Sequence, residues 1–279
     1  MEEAFFFEVV ILLISIFLAG KFVYSWFIFS PRVFAPRRHF VSSFLFCVIP
    51  LLSVILIGLT LGFLAASDVI NDGFYICYYI ILGIAWLQLS LVVVSFMLGL
   101  SWRDDFVNND NNAALISVFG VIIGITLIYS GANIGEGPGW WCVVFAGLLG
   151  TLSFLLLLFV VNISTRAINK VTVDRDIYTG IRMLGFTIGL GIILGRASGG
   201  DWTSFVKTLE EFLVAWPALP LTTFVILTEL LFNLIDKKIG KVKLTQNQKD
   251  VFKLVPSILL ALIYIGSGVT SLLLFPSIF

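Results

Sequence analysis

The chain has 279 residues, of which 59% are hydrophobic and only 12% charged, and its formal net charge is zero. A soluble globular chain carries about 25% charged residues, so this composition argues against a soluble domain. Zero net charge gives no basis for a nucleic-acid partner, which needs concentrated basic surface.

The apolar runs are close to the ~20 residues that cross a hydrocarbon core, which predicts an all-α polytopic membrane bundle. Residues 1–4 are acidic and lack a basic segment, so no cleaved signal peptide is expected. Spans are expected at 5–29, 40–66, 74–100, 113–130, 140–161, 177–194, 212–235 and 254–275. The connections at 101–112 and 162–176 are polar or charged, whereas 131–139 and 196–203 are glycine turns. Trp216, Pro217 and Pro220 are expected to kink or delay the seventh span. Residues 203–211 read as an amphipathic surface helix.

Charge orients the spans. Arg32, Arg37, Arg38, Arg103, Arg166, Lys170, Arg175, Lys237, Lys238, Lys241, Lys243 and Lys249 all fall after odd-numbered spans. The alternate loops hold only Arg196 and Lys207. The positive-inside rule then puts the basic loops in the cytoplasm and both termini outside.

Cys47, Cys77 and Cys142 lie in or beside apolar segments without a CxxC pair, and read as small apolar packers. His39 is the only histidine, which removes most His-based metal and base chemistry. No metal and no cofactor is expected. No GxSxG, HExxH or P-loop occurs, so the chain does not read as an enzyme. The acidic pair Asp104 and Asp105 beside 108–112 lacks a second acidic cluster and reads as helix-cap chemistry.

One constant offset maps Gly120 onto Gly185, Gly124 onto Gly189, Ala132 onto Ala197 and Gly135 onto Gly200. Residues 127–131 (LIYSG) are echoed by 262–266 (LIYIG), and Gln246 and Asn247 precede the last span much as Asn111 and Asn112 precede the fourth. The first hairpin matches only through Gly58 and Gly62. The unit is a helical hairpin with a polar link and a glycine-rich return helix. Two spans per unit make the repetition parallel. Three segments result: an N-terminal hairpin at 1–72, a duplicated core at 73–203 and a C-terminal hairpin at 204–279.

The run Asn111-Asn112-Ala113-Ala114, followed by Gly120 and Gly124, resembles small bacterial inner-membrane proteins of the YjfL type, which are defined by a domain of unknown function. The resemblance implies a four-helix domain built from two hairpins, here covering 74–202, in a bacterial inner membrane. The chain departs from the pattern at the second entry, where Asp174-Arg175-Asp176 replaces the amide run.

Three groups of residues are candidates for function. Gly120 with Gly124 and Gly185 with Gly189 have small-xxx-small spacing, which suits close helix packing. Gly191 and Gly195 extend the same face, and the two helices are expected to meet in the bundle centre. The exit turns contain Asn133 and Glu136 in one copy, and Arg196, Ser198 and Asp201 in the other, each with tryptophan. Their glycines free backbone groups for a small ligand or ion, although tryptophans at this depth also serve as interfacial anchors. Arg196 has two readings, snorkelling to headgroups or pairing with Glu136 or Asp201.

Glu229 is the main intramembrane acid, with Asn233 at i+4. It lies six residues before Ile235, roughly 9 Å deep at 1.5 Å per residue. Bonded to Asn233 it would be structural; facing a cavity it would handle protons or cations. Gln88 is a weaker polar point, and Arg182, one turn inside its span, is explained by snorkelling.

Two functional classes emerge. One is a non-enzymatic membrane module that oligomerises or anchors partners, with the basic loop 236–253 as a docking surface for protein or anionic lipid. The other is a transporter or channel for a small solute or ion through the bundle centre.

Overall fold

A computed structural model describes residues 2–34, 40–239 and 246–274. Eight of its helices are long and apolar enough to cross a membrane, and no strand occurs among the described residues. The protein is an all-α, multi-pass membrane protein.

The first hairpin is α1 (Glu2–Val33) and α2 (Phe40–Phe63). A single turn, α3 (Ser67–Ile70), leads to the second hairpin, α4 (Gly73–Leu98) and α5 (Asn112–Ala132), linked by a π-helical turn at Trp102–Asn108. The third is α6 (Trp140–Thr165) and α8 (Ile177–Ser198), linked by the short α7 (Ala167–Thr172). Next comes the amphipathic α9 (Phe205–Phe212), then the fourth hairpin, α10 (Ala218–Ile239) and α11 (Gln246–Leu274). A 3-10 turn at Leu213–Ala215 and the Trp216-Pro217 step hold back the start of α10. Part of the basic loop, residues 240–245, lies outside the described residues, as do Arg37, Arg38 and His39.

The second and third hairpins share details at equivalent positions that local sequence does not reveal. Asn111 caps α5 by accepting from Ala114 N, and Asp176 caps α8 by accepting from Tyr178 N and Thr179 N. The carboxylate therefore serves in place of the amide, and the departure at the second entry is one of residue type, not of geometry. Just before each cap, Asp110 and Arg175 both take φ 55°. Asn111 N donates to Asp105 O, and Asp176 N to Lys170 O. Asn111 also ties the two links together, its Nδ2 donating to Val171 O at 2.8 Å.

The return helices α2, α5, α8 and α11 form a row, and α5 against α8 is its most extensive contact. The two run in parallel and touch backbone to backbone. A Cβ added at Gly131 would overlap the Gly195 carbonyl, and one at Gly195 would lie 2.6 Å from Leu127 O. Gly191 opposes Gly124 in the same way.

Gly185 and Gly189 do not face α5. They receive Ala261 and Tyr264 of α11, and Gly268 of α11 closes on Gly189. The expectation that Gly191 and Gly195 extend their face is thus corrected: the two pairs lie on opposite sides of α8, each admitting one neighbour. At the start of the row, Gly58 and Gly62 meet nothing within 4 Å. The α2–α5 contact instead uses Ser53, which accepts from Thr126 Oγ1 at 3.1 Å. Thr126 is the position on α5 equivalent to Gly191 on α8, so side chains stand here where the other contacts have glycine.

The remaining core is aromatic and aliphatic. Trp26 stacks on Phe46 at 4.4 Å and donates to its carbonyl, fixing α1 against α2, while Trp102 of the π-helical turn lies 4.6 Å from the Trp26 ring. Trp86 of α4 donates to Thr151 of α6 at 3.0 Å, and Tyr129 of α5 to Tyr79 O of α4 at 2.6 Å. Both polar tips are satisfied within the apolar interior, where an unpaired donor is costly.

Candidate functional sites at the two ends of the bundle

At the end that carries the basic loops, α8, α10 and α11 enclose a buried ion pair. Arg182 is 1% exposed and Glu229 0%. The guanidinium binds the carboxylate through two nitrogens: Nε to Oε1, and Nη2 to Oε2 at 2.9 Å. Two further bonds bring in neighbouring hydroxyls. Nη1 donates to Ser257 Oγ at 2.7 Å, and Nη2 also reaches Thr179 Oγ1 at 2.9 Å. Thr179 in turn donates to Asp176 Oδ2 at 2.6 Å, so the α8 cap and the ion pair form one chain of bonds. The Phe232 ring lies over the guanidinium at 4.1 Å. Fork-to-fork geometry of this kind is among the strongest charge-assisted pairings proteins make.

This arrangement corrects two expectations. Arg182 does not snorkel; it bridges three helices. Glu229 does not pair with Asn233, whose Nδ2 reaches Thr165 O of α6 at 3.5 Å. Thr228, next to Glu229, shares a 2.5 Å hydrogen bond with Tyr264 OH and extends the polar seam between α10 and α11. Nearer the loops, Tyr178 donates to Asp250 at 2.9 Å and Lys253 pairs with Asp236 at 2.9 Å. In the second hairpin the position equivalent to Arg182 is Ser117, which bonds its own helix at Ala113 O, so the ion pair has no counterpart there.

At the opposite end the two glycine turns join. Gly200 N donates to Ile134 O, Trp202 N to Glu136 O, and Glu136 N to Asp201 Oδ1 at 2.7 Å. Gly135 (φ 110°) and Gly200 (φ 151°) take conformations that L side chains rarely adopt, and a Cβ on Gly135 would press on the Gly200 carbonyl. The Glu136 carboxylate turns the other way and accepts from Ser67 N at 3.0 Å and Ser67 Oγ at 3.4 Å, which docks α3 onto the turn.

These turns wall a pocket of about 50 Å3, room for a few waters or one small polar group. Asn133, Glu136 and Ser198 line it, with Trp202, Asp68 of α3 and Glu211 of α9. Asn133 and Ser198 are buried, and each bonds its own helix, at Tyr129 O and Leu194 O.

The structure thus brings together Asn133, Glu136 and Ser198. Asp201 sits behind them as a turn brace, and Arg196 is half-buried on α8 outside the pocket wall. Gln88 is half-buried on α4 and takes part in neither cluster. Asp68 and Glu211 escape a reading of the sequence, since nothing local links them to the turns. Among the described residues, no three His, Cys, Asp or Glu side chains converge as a metal site.

No curated protein and no solved structure matches the chain. Residues 66–198, which run from the residue before α3 to the end of α8 and include the first glycine turn but only the opening residues of the second, match the model of a family described as a domain of unknown function, DUF350.

Proposed function

We propose that this protein is a non-enzymatic membrane module, built from duplicated parallel hairpins, that assembles with itself or holds membrane partners. It sits in a bacterial inner membrane, as proteins of the YjfL type do, with the basic loops in the cytoplasm and both termini outside. The loop 236–253 is its docking surface for protein or anionic lipid. The observation that supports this reading is the backbone-to-backbone contact of α5 with α8 and of α8 with α11. Helices this close leave no space between them for solute.

The transporter reading draws on the pocket at the glycine turns and on Glu229. Against it, Gly131 against Gly195 closes the way below the pocket, and the Glu229 carboxylate is committed to Arg182. The test is reconstitution of the full chain into liposomes with proton, cation and amine flux assays, alongside native mass spectrometry of the purified protein. Flux equal to protein-free vesicles, with a discrete oligomer or a co-purifying membrane partner, is expected. Saturable flux that Glu229→Gln abolishes would overturn the reading.

A further inference from the structure

Neither cluster accounts for Gln88, which sits within the apolar α4. That helix has 26 residues and carries no Asp, Glu, Lys or Arg. At 1.5 Å per residue Gln88 lies about 4 Å from its middle, inside the hydrocarbon layer. The side chain is half-buried, and among the described residues it makes no hydrogen bond, either within α4 or to a neighbour. Its polar atoms are not enclosed by the protein; they reach the surface that meets lipid. Other amides in or beside the spans are satisfied within the chain. Asn133 donates to Tyr129 O, Asn162 accepts from Ile168 N, and Asn233 reaches Thr165 O.

An amide at this depth has no water to bond. Acyl chains offer it neither donor nor acceptor, so leaving it unpaired is costly. The group itself carries both functions, two N–H donors and a carbonyl acceptor. The face around it is open and apolar. Helix periodicity places Cys77, Ile81 and Val92 within about 40° of Gln88; Cys77 is exposed and Val92 is 53% exposed.

These features specify the occupant. It must bring a donor and an acceptor together at mid-bilayer depth, on an otherwise apolar surface. A second copy inserted in the same orientation carries the same amide at the same depth. Across a twofold axis along the membrane normal, each N–H meets the other copy's C=O, so the group is its own complement.

We propose that the Gln88 face of α4 is a self-association surface, on which the amides of two copies form a reciprocal pair of hydrogen bonds. This surface rests on the self-assembly reading above and gives it a partner, a second copy of the chain. The contact is isologous and therefore closes at a dimer. It leaves the row of α5, α8 and α11 intact within each copy.

The test compares the full-length parent with Gln88→Leu by native mass spectrometry across a dilution series in one detergent. The parent should be dimeric, and Gln88→Leu should raise the dimer dissociation constant about tenfold or more. The substitution removes no hydrogen bond from within the chain, so helicity by circular dichroism should match the parent and verifies that the variant is folded. A short bis-maleimide should also link two copies in nanodiscs through the native Cys77, about three turns from Gln88 on the same face. At a crossing angle of about 20° the helix axes are only about 6 Å further apart there than at Gln88. Cys77→Ser should abolish the link and Gln88→Leu should reduce it.

A dimer of unchanged affinity in Gln88→Leu, or one that does not link through Cys77, overturns this surface and leaves the assembly reading standing. A parent that stays monomeric also overturns it; if no membrane partner co-purifies either, the assembly reading fails with it.

Discussion

Breaking the Arg182–Glu229 pair from each side in turn should give unequal results. Removing one member of a buried ion pair typically costs about 3–5 kcal/mol, because the survivor is left uncompensated. The two survivors differ here. With Glu229→Leu, the guanidinium cannot lose its proton and keeps only Ser257, Thr179 and the Phe232 face. With Arg182→Met, the orphaned carboxylate can take up a proton and become neutral. Glu229→Leu should therefore fall at the upper end, about 5 kcal/mol, and Arg182→Met nearer 3. By the usual scaling of 2–4 °C per kcal/mol, that is a fall in Tm of roughly 6–20 °C.

The double variant should recover most of the loss and stay within about 1–2 kcal/mol of the parent. Thr179 keeps Asp176 as its partner, which leaves Ser257 as the main hydroxyl to be re-satisfied. Stability of the four proteins in one detergent or nanodisc, measured by steric trapping or thermal unfolding from pH 5 to 8, closes the cycle. Additive losses in the double variant, or a coupling under about 1 kcal/mol, would refute the reasoning.

Packing and the polar links give three more predictions. Gly131→Ala and Gly191→Ala should force α5 from α8 and cost about 2–4 kcal/mol, whereas Gly58→Ala and Gly62→Ala, facing open space, should be neutral or gain up to ~1 kcal/mol. Melting temperatures of the four variants test both. Asn111→Asp should cost about 1–3 kcal/mol, because it sets a carboxylate against the Val171 and Thr172 carbonyls. Asp176→Asn keeps a cap acceptor and should cost less, as equilibrium unfolding would reveal. Burial holds the Asp105 carboxyl above its ordinary range, partly offset by the bond it accepts from Ser101 N. A folded-state value above the unfolded one means this contribution to stability is fully present below the unfolded value and lost as pH rises through the folded one. Asp105→Asn should therefore flatten that part of the stability–pH profile, and an unchanged profile would count against the assignment.

The eight spans are legible because a hydrocarbon core imposes a length on apolar runs that no other environment does. Partner choice is not. Arg182 and Glu229 lie 47 residues apart on different hairpins, and each alone has an adequate local explanation. The available signal is two opposite charges buried at comparable depth from the same end. Gly185 and Gly189 can be recognised as packing residues without revealing their neighbour, since small-xxx-small spacing states that a helix approaches and not which one. The last helix shows the same limit. Residues 262–266 echo 127–131 in letters, yet Gly189 is met by Tyr264 and Gly268 where Gly124 is met by Thr187 and Gly191. Contact geometry thus sets a register that differs from the letter match. Asn133, Glu136 and Ser198 can be found because glycine turns announce themselves, whereas Asp68 and Glu211 come from neighbouring elements that only the fold brings near.

The buried charges also bear on how the chain enters the bilayer. Of the eight spans, α8 has the lowest mean hydropathy, 1.7 against 1.8 to 2.7 for the others. Carrying Arg182 unpaired toward the lipid would cost it roughly a further 2.5–3.5 kcal/mol on insertion scales. Glu229 imposes a similar charge on α10, and neither is neutralised until the two spans lie side by side. The third hairpin is thus an incomplete membrane solute until the fourth arrives. Pairing with a segment synthesised after it removes a cost that α8 otherwise bears alone, which couples the last two hairpins energetically.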